Sequence, residues 1–168
     1  MTSTMAEVHP FRVVAWWASG RTGFAKSNSA PNATHFSAPP AFGGMEGRWT
    51  PEDLLLCAVA SCYTTTFRAV ADNSKFEYTD LQVEVEGNIK RAEVGYNFGE
   101  ILIRASLIIS HEEDRARGLK LLHKAQTLCL VSRALSVEPK FEPRVQVGEL
   151  RPETTQALPV QPSPIYDK

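Results

Sequence analysis

The sequence predicts an α+β fold with segregated sheets, on three observations. Apolar runs of strand length fall in two groups, one before residue 39 and one after residue 78. A long apolar helical run lies between them. The order that results is strands, helix, strands, helix, strand, which differs from the regular alternation of a βαβ protein.

Each element has its own signal. Val8, Phe11, Val13, Val14, Trp16 and Trp17 give a strand over residues 8–18. The turn Gly20-Arg21-Thr22-Gly23 follows, then short strands near 22–27 and 33–38. Residues 39–50 are rich in Pro and Gly and predict a loop. Thr50 is a good N-cap, Pro51 suits the first helical position, and Thr50-x-x-Asp53 has the form of a capping box. The helix runs to about Asn73, with Leu54 to Ala60 apolar all round, so burial on all sides is expected, with a second subunit as one possible cover. Leu81, Val83 and Val85 alternate with Gln82, Glu84 and Glu86, a half-buried strand over 79–91. Residues 98–109 make its hairpin partner, joined through 92–97. Ser110-x-x-Glu113 is a second capping-box candidate, opening a helix with Ala116, Leu119, Leu122 and Ala125 on its packed face. A helical piece over 129–136 and a strand over 140–147 complete a single domain, residues 1–147. The Pro-rich stretch 148–168 reads as an extended or disordered tail.

Composition narrows the function. The net charge is −1, with no basic block, which argues against nucleic acid or an anionic membrane as partner. No apolar run approaches the roughly 18 residues of a membrane helix. The first twenty residues lack the basic start of a signal peptide. Three cysteines are too few for a secreted disulfide scaffold, so a reducing cytoplasm is the expected compartment. The four histidines show no ligand spacing, so no metal site is expected, and no phosphate or dinucleotide fingerprint calls for a cofactor.

The chemistry lies in the thiols. Cys62 ends the apolar run of the long helix, and Cys129 lies in a second apolar context. A buried cysteine is commonly a small hydrophobe; a guanidinium beside it lowers its pKa and makes it a nucleophile. A sulfenic acid formed on Cys62 would need a nearby thiol such as Cys129 to condense with. Cys57 lies about 140° around the helix from Cys62, which assigns it to the core. Arg21, flanked by glycines, is either a solvated turn residue or a fork that holds a carboxylate and polarises a substrate oxygen. Glu52 either complements the helix dipole or orients Arg21. Trp16, Trp17, Phe24, Phe36, Phe42 and Trp49 are expected mostly in the core, some lining an apolar pocket. Glu52 and Cys62 are ten residues apart on one helix, about 15 Å along its axis. If both serve one site, Cys62 meets Glu52 of another chain, which predicts a homodimer with two interface sites and antiparallel central helices.

Three motifs carry a family resemblance: Pro51 to Cys62 as P-E-x-L-L-x-x-A-x-x-S-C, Cys129 to Leu135 as C-x-V-S-x-A-L, and Gly20 to Gly23 as G-R-x-G. In order and spacing they resemble the OsmC/Ohr family, the osmotically inducible protein C and organic hydroperoxide resistance proteins, over about residues 10–147. The pattern is closer to the OsmC-like branch. The resemblance implies an intertwined homodimer, with antiparallel sheets around a buried central helix carrying Cys62. It also implies a thiol peroxidase that reduces organic hydroperoxides to alcohols. Cys62 would be the peroxidatic cysteine, Cys129 the resolving one, and Arg21 and Glu52 the activating pair, with an external dithiol of lipoyl type as reductant. The alternative is a non-enzymatic dimer binding a small apolar ligand at its interface. One departure stands out: the second motif usually reads C-P-x-S, and here Leu130 replaces the proline.

Overall fold

The computed structural model describes residues 8–148. The expected tail lies almost wholly outside the described residues. Among the described residues there are six strands and three α-helices: β1 Val13–Ser19, β2 Thr22–Ser27, β3 Thr34–Ser37, α1 Pro51–Asn73, β4 Asp80–Arg91, β5 Tyr96–Ile109, α2 Arg115–Leu128, α3 Leu130–Arg133 and β6 Lys140–Val147. The α+β order predicted from the sequence holds. The described chain forms two compact units, one through Leu54 and the other from Leu55.

In the first unit β1, β2 and β3 form an antiparallel sheet in that order. Ser19 pairs with Thr22, so only Gly20 and Arg21 turn the chain, and Gly20 takes a positive φ of 49° that favours glycine. Trp17 Nε1 donates to the Gly20 carbonyl at 2.9 Å and Thr22 Oγ1 to the Ser19 carbonyl at 2.8 Å. Every residue of β1 is exposed in the single chain. This corrects the expectation of an aromatic core here: Trp16, Trp17 and Trp49 are exposed, while Phe24, Phe36 and Phe42 are half-buried. Trp16 and Phe24 stack with ring centres 5.9 Å apart, and Phe24 and His35 at 4.6 Å.

The capping box at the start of α1 forms as predicted. Asp53 N–H donates to Thr50 Oγ1 at 3.1 Å, and Thr50 N–H donates back to Asp53 Oδ2 at 2.9 Å. The helix is buried along one face, through Val59, Tyr63, Phe67, Val70 and Ala71. Its other face carries Cys57, Ser61, Thr64, Thr65 and Arg68. Cys57 is therefore exposed and not in the core, because the 140° that separates it from Cys62 turns it away from the chain's own sheet. By length and composition α1, with 23 residues, is long and apolar enough to cross a membrane, contrary to the sequence expectation. The hydroxyls spaced along this helix bond back to it, Ser61 to Cys57 O, Thr64 to Ala60 O and Thr65 to Ser61 O, so they interrupt its apolar character less than their side chains suggest. The core helix of a folded domain passes the same composition test.

In the second unit β4 and β5 are antiparallel and β6 runs parallel to β5, in the order β4-β5-β6. The sheet is thus mixed, since the long connection through α2 and α3 carries the chain back before β6 begins. Ile101, Ile103, Ala105, Leu107 and Ile109 of β5 point to the core in strict alternation. On the opposite face Arg104 bridges Glu86 at 2.9 Å, Glu142 at 3.4 Å and Glu84 at 3.6 Å.

The second predicted capping box does not form. A short 3₁₀ turn at Glu112–Asp114 precedes α2, and Ser110 Oγ instead lies 3.4 Å from Thr79 Oγ1. The packed face of α2 also differs, being Gly118, Leu121, Leu122 and Ala125, with Ala116 and Leu119 exposed. Gly118 explains the rotation: a Cβ there would lie 3.0 Å from Leu107 Cδ2 and 3.3 Å from Phe76 Cζ, so the helix approaches its neighbours through its glycine.

Candidate functional site

The structure brings Cys62 and Cys129 together. Cys62 sits on α1, half-buried, one residue before Tyr63, whose ring is fully buried and whose hydroxyl donates to the Leu122 carbonyl at 3.0 Å. This bond fixes α1 against α2. The chain leaves α2 at Leu128 and enters α3 at Leu130, so Cys129 occupies the break between two helices. Its extended backbone, φ −61° and ψ 110°, turns the chain and places its fully buried thiol against the core that also packs Cys62.

The two sulfurs differ electrostatically. Partial burial opposes ionisation of Cys62, but hydrogen bonds outweigh it and hold its pKa below the ordinary thiol value. The donors are the Val131 amide, the Cys129 thiol, the Thr66 hydroxyl and the Leu130 amide. Burial pushes the Cys129 thiol up, and a neighbouring Cys62 thiolate adds to that. The Ser132 hydroxyl donates to Cys129 Sγ at 3.2 Å. Protons are thus aligned from Ser132 to Cys129 to Cys62, with negative charge favoured on Cys62.

Thr66 and Ser132 were not singled out from the sequence. Their signals were spacings of four residues after Cys62 and three after Cys129, which place each hydroxyl one helical turn from a sulfur. Leu130 acquires a role that the sequence did not suggest. Its amide N–H is among the donors to Cys62, and a proline at that position would have none.

Arg21 and Glu52 are not joined by an ion pair among the described residues. Arg21 is exposed at the β1–β2 turn, its carbonyl accepting from Ala38 N–H at 3.0 Å. Glu52 is half-buried in the first turn of α1, and its Oε2 is fully buried without a hydrogen-bond partner among the described residues. A buried carboxylate oxygen without a donor is costly and calls for a cation. No group of His, Cys, Asp and Glu suited to a metal occurs among the described residues.

A mixed α+β scaffold that sets a thiol of its long helix beside a thiol at a helix break defines the class. The OsmC-like protein profile matches residues 44–144, and the chain belongs to this family. A relative in Bacillus subtilis (strain 168), the uncharacterized protein YmaD, is 32% identical over 145 residues, covering 83% of this chain and 97% of YmaD. Among solved structures, an OsmC-like protein of unknown function from Vibrio cholerae is similar with a TM-score of 0.72 at 15% identity, covering 81% of this chain and 99% of its own. An organic hydroperoxide resistance protein from Elizabethkingia anophelis is similar with a TM-score of 0.68 at 20% identity, covering 86% and 100%.

Proposed function

We propose that the chain is a thiol peroxidase that reduces organic hydroperoxides to alcohols. The observation that supports this reading most is the asymmetric thiol pair, one sulfur biased toward thiolate and the other kept protonated beside it. Family membership and the peroxide-related names of structural neighbours agree with it. The Cys62 thiolate attacks the distal peroxide oxygen, the O–O bond breaks, and the alkoxide leaves as alcohol on taking a proton. Cys62 becomes a sulfenic acid. The Cys129 thiol then attacks the Cys62 sulfur, water leaves, and a Cys62–Cys129 disulfide forms. An external dithiol of lipoyl type returns two electrons and two protons by exchange.

In this reading two copies assemble so that Arg21 and Glu52 of one serve the thiols of the other. The roughly 15 Å between Glu52 and Cys62 along α1 excludes their meeting within a straight helix. Glu52 would hold the Arg21 guanidinium, ending the isolation of its buried oxygen. Arg21 would stabilise the thiolate and then the developing alkoxide in a site shielded from water.

The test is stopped-flow oxidation of the reduced protein by cumene hydroperoxide and by hydrogen peroxide, followed by mapping of the disulfide. The expected result is fast, organic-selective oxidation ending in a Cys62–Cys129 bond, lost in Cys62→Ser and much slower in Arg21→Ala. Slow oxidation with both thiols still free would sink the peroxidase and leave a fold used to bind a small apolar ligand.

A further inference from the structure

Arg21 is built into a small clasp, and the residue that closes the clasp is Ser37. Ser37 ends β3 and is fully buried. Its amide N–H donates to the Trp49 carbonyl at 2.9 Å. Its hydroxyl accepts from Met45 N–H at 2.7 Å and donates to the Ala38 carbonyl at 3.0 Å. One residue thus ties the Pro/Gly-rich loop over 38–49 at its beginning, middle and end. The chain passes so close here that only glycine fits: a Cβ at Gly44 would fall 1.6 Å from Ala38 O and 2.7 Å from Ser37 Oγ. Phe42 N–H and Gly44 N–H both return to the Pro39 carbonyl, at 2.9 and 3.1 Å, and Gly43 closes the turn at a φ of 74°.

Arg21 meets this loop through its backbone, and its side-chain stem passes beside Gly43. Its carbonyl accepts from Ala38 N–H at 3.0 Å. Its side-chain stem lies along Gly43, with Cδ and Nε each 3.7 Å from where a Cβ there would stand. An exposed arginine otherwise keeps most of its rotamer freedom, and a catalytic cation that must be frozen during reaction loses rate for that reason.

We propose that Ser37 is a positioning residue for Arg21, holding the Gly43–Gly44 turn in the place that pre-orients the guanidinium stem. This rests on the role assigned to Arg21 under the peroxidase reading. The buried hydroxyl is the hinge pin because it serves as donor and acceptor at once, and no alanine or glycine replaces both bonds.

The experiment compares the full chain with Ser37→Ala, Arg21→Ala and the double variant, with Gly43→Ala as a second way to disturb the turn. Two quantities are read: the rate of thiol oxidation by cumene hydroperoxide, and the NMR order parameter of the Arg21 Nε–H. Ser37→Ala is expected to lower the rate on the order of tenfold, less than the hundredfold that a full ångström of misplacement costs. It is expected to change nothing further in the Arg21→Ala background, and to lower the Arg21 order parameter. Gly43→Ala should act in the same direction. An equal loss of rate with and without Arg21 would make Ser37 merely structural and overturn the proposal, as would an unchanged order parameter. If the parent protein does not react with hydroperoxides, the peroxidase reading fails by itself. The order parameter then decides alone: a fall in both variants supports the clasp, and no change overturns it.

Discussion

A single amide hydrogen marks the difference between this chain and the usual C-P-x-S pattern. Leu130 N–H is one of the donors to Cys62, where a proline would have none. The backbone is ready for the exchange: Cys129 already has φ −61° and ψ 110°, the extended conformation that a following proline requires, and position 130 opens α3, where proline is well accepted. The Leu130 side chain is 71% exposed, so little packing is lost. Leu130→Pro therefore removes one donor to the Cys62 thiolate and little else. The sign follows directly. Hydrogen bonds hold the Cys62 pKa below the ordinary thiol value, and losing one raises it, so less thiolate is present at a given pH. Iodoacetamide labelling of Cys62, followed by peptide mass mapping across a pH series, should show its midpoint moving upward. At pH 7 the rate of labelling should fall, since less of the thiol is ionised.

At the scale of the element, α2 shows how one small residue sets a packing face. Periodicity put Ala116, Leu119, Leu122 and Ala125 inward, whereas the structure buries Gly118, Leu121, Leu122 and Ala125. Glycine reads as a helix-weakening residue in isolation. Here its missing side chain makes room for Leu107 and Phe76. Gly118→Val should destabilise the protein by about 1–3 kcal/mol through overpacking, despite any gain in helix propensity. A thermal melt followed by circular dichroism should then fall by several degrees, at about 2–4 °C per kcal/mol for a chain of this size. An unchanged melt would mean that α2 can retreat from β5 at no cost. The first-turn box of α1 was legible in the sequence because its partners lie three residues apart. The equivalent box before α2 was not, because a 3₁₀ turn intervenes and Ser110 faces Thr79 from a distant strand.

At the scale of the whole molecule, the single chain leaves too much apolar surface uncovered. Every residue of β1 is exposed, with Trp17 at 73%, and the outer face of α1 presents Cys57 among hydroxyls already bonded to their own helix. A long apolar edge strand is a template for association, and hydroxyls that need no water lose little on burial. The proposed homodimer would cover such surfaces. Size-exclusion chromatography with light scattering should give about twice the 18.6 kDa chain mass. Trp17→Lys, which puts a charge on the exposed strand, should shift the protein toward the single-chain mass at low micromolar concentration. A monomer for the parent protein would remove the route by which Glu52 and Cys62 are proposed to share a site.

The sequence by itself determined the kinds and order of the elements, the capped start of α1, the alternation of β4 and β5, and the motifs that place the chain in the OsmC-like family. These are local properties, written in spacings of two to four residues. The tertiary structure alone decided that β6 runs parallel to β5, that Cys57 faces outward, that Glu52 keeps a buried oxygen without a partner, and that Ser37 closes the loop under Arg21. It also decided that Leu130 and Val131 turn their amides to a sulfur on another helix. Each of these depends on where the rest of the chain packs. Such contacts depend on how helices and strands rotate and approach one another, and that rotation is fixed by packing, down to the single missing methyl of Gly118.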